Sequence, residues 1–133
     1  MELTFIAREF FAVAYLLAGL SHLLQPRLWA DLFRTILERP YGPIIIAQYT
    51  GPLALLLVLT HNVWVWDLPL IVTLVAWAML IKSVVYLLWP GVKSRIAPER
   101  SRGPRQYVIA GIVCLLIGAL VGIDVALDLA AAR

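Results

Sequence analysis

The chain reads as an all-α integral membrane protein, a bundle of four transmembrane helices with one interfacial amphipathic helix after the first span. Three observations carry that expectation. Of its 133 residues 62% are hydrophobic and only 14% charged, against about 45–50% and about 25% in soluble domains. The mean hydropathy is +0.90. Four apolar runs are long enough, or nearly so, for the roughly 20 residues that a helix needs to cross a bilayer. Residues 1–133 leave room for a single membrane domain, with spans expected at about 3–24, 44–59, 68–89 and 106–127.

The first span, 3–24, follows MELTFIAREF, which has a glutamate and a lone arginine where a cleavable signal would be positively charged. We read it as a retained helix. Ala14 and Ala18 fall on one face, and Gly19 follows, so another helix can approach closely in lipid. Residues 27–39 are too polar to span. Trp29, Leu32, Phe33, Ile36 and Leu37 recur at helical spacing, while Arg27, Asp31, Arg34 and Glu38 fall mainly elsewhere. That pattern describes a helix lying in the membrane interface, opened by Pro26 and closed by Pro40-Tyr41-Gly42-Pro43.

The second span carries Gln48, Tyr49 and Thr50 and then Gly51-Pro52, where a kink is tolerated if neighbours satisfy the freed carbonyl. The connection THNVWVWDLP supplies tryptophans suited to an interface. The third span, DLPLIVTLVAWAMLIKSVVYLLWP, holds Lys82 well inside its length. A charge at such a depth costs roughly 2.5–3.5 kcal/mol on insertion scales. The fourth span aligns Gly111, Gly118 and Gly122 on one face and ends near Asp124. Gly118 and Gly122 form a G-x-x-x-G pattern, suited to packing within the bundle or to self-association.

Basic residues concentrate in two loops, Arg27, Arg34 and Arg39 in one and Lys93, Arg95, Arg100, Arg102 and Arg105 in the other. In a four-span chain these loops share a side. The positive-inside rule then puts loops 26–43 and 90–105 in the cytoplasm and both termini outside the cell inner (cytoplasmic) membrane. The basic balance thus reads as topology and attraction to membrane lipids, with no nucleic-acid partner implied.

Two layers of polar residues follow from this topology. Toward the cytoplasm, His22, Gln48, Lys82 and Tyr86 are candidates to line a ligand-binding pocket for a lipid headgroup, a quinone carbonyl or a carboxylate. The alternative is that Lys82 snorkels, its stem in lipid and its ammonium among headgroups. Toward the outside, Arg8 and Asp124 would lie at similar depth as an ion-paired clasp, with Glu9 a candidate third member.

Several chemistries are set aside. Cys114 is alone, which excludes an internal disulfide. His22 and His61 belong near opposite faces, roughly 25–30 Å apart, so one chain cannot offer both to one haem. No cluster suits zinc, and no catalytic motif appears in the sequence. We therefore expect no catalytic residues, no metal and no cofactor, and rank an enzyme acting alone behind a non-catalytic subunit and a transporter.

Gly19-x-x-His22-x-x-x-Pro26 at the end of the first span resembles the first-helix pattern of the DoxX-like small membrane proteins. The set His61, Asn62, Trp64, Thr73, Trp77 and Lys82 is similar to one recurring in four-helix bacterial membrane proteins. The resemblance implies an accessory subunit of a membrane oxidoreductase system. The leading expectation is a non-catalytic subunit of a larger membrane complex, with a lipid- or quinone-like ligand near Lys82. Its partners would be other membrane protein subunits, or copies of itself through Gly118 and Gly122. The alternative expectation is a small homo-oligomeric transporter or channel for an anion or protons.

Overall fold

The computed structural model describes residues 3–95 and 102–132. Glu99 and Arg100 of the second basic loop, and Arg133 of the tail, lie outside the described residues. The described chain forms α1 (Leu3–Leu24), α2 (Pro26–Glu38), α3 (Gly42–Thr60), α4 (Pro69–Leu88), α5 (Val92–Arg95) and α6 (Pro104–Ala131). Helices α1, α3, α4 and α6 are long and apolar enough to cross a membrane. Only 22–33% of each span is buried inside the bundle, and the outward positions are filled by residues such as Leu17, Leu59, Leu74, Ile81 and Leu116. An apolar shell of this extent is matched to hydrocarbon, not to water. The chain is an all-α, multi-pass membrane bundle.

The bundle is assembled from two close helix pairs, α1 with α6 and α3 with α4. The first pair is a backbone-to-backbone contact set by glycine. A Cβ on Gly111 would stand 2.9 Å from the Gly19 carbonyl oxygen, and one on Gly118 would stand 2.9 Å from the Leu16 nitrogen. Gly122 is different, because a Cβ there would meet only Ala12, at 3.9 Å. The glycine face of the last span is therefore occupied within the chain, and self-association through Gly118 would have to displace α1.

The second pair is packed through alanine and joined by hydroxyls. Ala47, Ala54 and Ala76 have no exposed surface. Thr50 and Ser83 share a hydrogen bond of 2.8 Å across the pair, and each hydroxyl is also within bonding distance of its own helix, at the Ile46 and Met79 carbonyls. Back-bonding to the carbonyl four residues earlier is how a hydroxyl is satisfied in an apolar helix. The two pairs meet through Phe11, Leu57, Val72, Ala76 and Val121.

The second span starts at Gly42, two residues earlier than expected, and the last span differs at both ends for local reasons. The last span starts at Pro104, two residues early, because the Gln106 amide oxygen accepts the Gly103 N–H at 2.9 Å and caps the helix. It continues to Ala131, and Asp128 in its final turns is held by a cross-helix ion pair with Arg8. Helix α2 is separated from α1 by the single residue Gln25, and Ala30 and Leu37 bury its inner face. Gly42 follows it closely, and a Cβ there would overlap the Ile36 carbonyl.

Candidate functional site

Lys82 and Tyr86 are one helical turn apart on α4, and the structure brings them together. The Lys82 ammonium lies 5.2 Å from the centre of the Tyr86 ring, within the range of a cation–π contact. Their burial differs sharply. Tyr86 is 6% exposed and packs with Leu37, Ile46, Ala47 and Val92, whereas Lys82 is exposed. The inward face of α4 is made by Val72, Thr73, Ala76, Ser83 and Tyr86. Lys82, about 100° around the helix from Ser83, is carried off that face.

The other two candidates from the sequence lie elsewhere. Gln48 is exposed, beside buried Ala47. His22 sits at the end of α1 in a group of four aromatic rings. It stacks on Trp29 at 4.3 Å and on Tyr107 at 5.9 Å. Phe33 closes the group, 6.0 Å from Trp29 and 5.7 Å from Tyr107. The His22 Nδ1 lies 2.7 Å from the Ala18 carbonyl. A carbonyl only accepts, so Nδ1 carries the proton. The Trp29 indole donates to Ser21 at 3.0 Å. His22 thus fastens the interfacial helix α2 to α1 and α6. Of the four, the structure brings Lys82 and Tyr86 together, whereas His22 joins the aromatic group at the end of α1 and Gln48 stands exposed on α3.

At the opposite end the polar residues form two devices. Arg8 reaches across from α1 and donates to both Asp124 and Asp128, one turn apart on α6. The side chains of Arg8 and Asp124 are 11% and 14% exposed, that of Asp128 52%. Glu9 is exposed and takes no part in the pair. Asp128 was missed from the sequence, although its spacing of four from Asp124 was the available signal.

The second device is the turn after α3. The buried ring of His61 donates through Nε2 to the Pro69 carbonyl at 2.9 Å. The Asn62 side-chain oxygen accepts from the indoles of Trp64 at 2.9 Å and Trp77 at 3.1 Å. The Thr73 hydroxyl donates to the Val63 carbonyl at 2.9 Å and accepts the Val63 N–H at 3.1 Å. Pro69, Thr73 and Trp77 are spaced by four, so one stripe of α4 receives three successive residues of the turn. His61, Asn62, Trp64, Thr73 and Trp77 are therefore a structural unit that closes α3 onto α4.

Between the ends, the Tyr15 hydroxyl lies 3.8 Å from the Met79 sulfur, and Phe11 stacks on Tyr15 at 4.2 Å. Among the described residues no group of three or more His, Cys, Asp or Glu side chains is placed to hold a metal ion. Comparison with protein-family models, curated proteins and solved structures finds no match to this chain.

Proposed function

We propose that the chain is a small non-catalytic subunit of a larger assembly in the cytoplasmic membrane. In this reading both ends of the chain face outside, and loops 26–43 and 90–105 face the cytoplasm. The observation that carries the proposal is the position of Lys82. It stands inside a membrane-spanning helix, exposed at the bundle's outer surface, with its ammonium 5.2 Å from the Tyr86 ring. An exposed cation in a span meets lipid or another protein, and such residues are functional by default. At the other end of the bundle Arg8, Asp124, Asp128 and His61 are engaged in closing the fold. The resemblance to DoxX-like proteins agrees with a redox assembly as the host, and a lipid- or quinone-like molecule beside Lys82 fits the same geometry.

The test is gentle extraction from the native membrane followed by native mass spectrometry, for the parent chain and for Lys82→Met. The expected result is a complex with unrelated chains for the parent and its loss in the variant. A discrete homo-oligomer that carries a bound anion would replace this reading with that of a transporter. A stable variant that keeps every native partner and bound molecule would remove Lys82 from the account.

A further inference from the structure

The basic end of α4 carries a second feature with the shape of an amphiphile. A cleft of about 120 Å³ lies there, walled in part by Ile44, Tyr86, Leu87 and Trp89 and with Lys93 at its edge. Pro90 and Lys93 also border a neighbouring hollow of about 380 Å³ with Gly91 and Ser94. The two spaces share Pro90 and Lys93, so a cation stands beside the apolar side chains of Ile44, Leu87 and Trp89. Arg95 lies over the Trp89 indole at 6.0 Å, and Lys93 donates to the Glu38 main-chain carbonyl at 3.2 Å. That bond orients the ammonium without neutralising it. From Pro69 to Arg95 the chain carries three cations, Lys82, Lys93 and Arg95, and no acid. Tyr86, which walls the cleft, is also the ring beneath Lys82.

We propose that this end of α4 and α5 is a binding site for an anionic phospholipid. The lipid phosphate sits on Lys93 and Arg95, and the first carbons of an acyl chain lie against Ile44, Leu87 and Trp89. The charge argument is direct, since basic residues at a membrane surface attract anionic headgroups and each contributes to the preference. Indole at the boundary between the two spaces belongs at headgroup level. The inference deepens the reading of Lys82 as an outward-facing contact, because both share Tyr86, yet it concerns a lipid and not a protein partner.

The experiment uses the purified full chain, free of other proteins, in a mild detergent. It is titrated separately with phosphatidylglycerol and with phosphatidylcholine, and bound lipid is counted by native mass spectrometry. The expected result is retention of phosphatidylglycerol over phosphatidylcholine by about tenfold, abolished in Lys93→Gln with Arg95→Gln. Arg95→Gln alone, on an exposed side chain, keeps the test decisive if the double variant folds poorly, and it should weaken the preference. Equal retention of the two lipids by the parent, or an unchanged preference in a folded variant, overturns the proposal. Displacement of the lipid by added inorganic phosphate would assign the site to free phosphate and would also overturn it. Because no partner is present, failure here leaves the co-extraction result for the assembly untouched, and the two readings fall separately.

Discussion

At one end of the bundle Arg8, His61, Asn62 and Thr73 turn their polar atoms into the chain, whereas at the other Arg27, Arg34, Lys82 and Arg95 stand exposed. Both ends hold charge, but only the first closes its long helices on one another with ion pairs, the second having the single Lys93 bond to the Glu38 carbonyl between short elements. There α1 is tied to α6 by ion pairs, and the turn after α3 is tied to one stripe of α4 by side-chain hydrogen bonds. The basic end is held by stacked rings, His22, Trp29, Phe33 and Tyr107, and by apolar packing around Leu37 and Tyr86. The lesson is a division of labour. Ion pairs and side-chain hydrogen bonds specify the fold at the first end, and at the second the cations stand at the surface of a fold closed mainly by rings and apolar side chains.

Breaking the clasp should have the largest effect. Arg8→Met leaves the mostly buried Asp124 without its cation, and thermal unfolding in detergent should show a loss of about 3 kcal/mol. Asp128→Asn should cost under about 1 kcal/mol, because that side chain is half exposed and Asp124 still pairs with Arg8. Next come the glycine contacts of α1 and α6. Gly111→Ala drives a methyl onto the Gly19 carbonyl and should destabilise by about 1–3 kcal/mol, while Gly122→Ala should stay within about 0.5 kcal/mol. Equal effects at the two glycines would contradict the assignment of the close contact.

Thr73→Val removes both partners of Val63 and should cost about 1–2 kcal/mol. Hydrogen exchange should speed up at the turn after α3 and not in α2. Trp29→Leu sharpens the comparison from the other side. It removes the stack on His22 and the bond to Ser21 for about 1 kcal/mol, and α2 should exchange faster while the clasp stays protected.

The spans were legible in the sequence because each is a long apolar run, and length with composition suffices to place a helix in a bilayer. The interfacial helix was legible for a related reason, since Trp29, Phe33 and Leu37 keep one face while Arg27, Asp31 and Arg34 keep another. The clasp was half legible. Similar depth on neighbouring helices suggested Arg8 with Asp124, but choosing between Glu9 and Asp128 needs the rotation of α1 and α6 about their axes. That rotation is set by Gly19, Gly111 and Gly118 in contact, which hydropathy does not report. The same limit applies to His22, Gln48, Lys82 and Tyr86. Depth placed them in one layer, and rotation sent His22 to an aromatic group, Gln48 to the surface and Tyr86 to the core. The set from His61 to Trp77 was visible as residues, yet its meaning as a turn bonded to a stripe of α4 required coordinates.

The most direct test of the division between ends is thermal stability of Arg8→Met and Lys82→Met, measured side by side in identical lipid nanodiscs. The account predicts a marked fall for Arg8→Met and no loss, or a gain, for Lys82→Met, since removing an outward charge from a span relieves a cost. A large loss for Lys82→Met with Arg8→Met unchanged would contradict it, and would make Lys82 part of the fold.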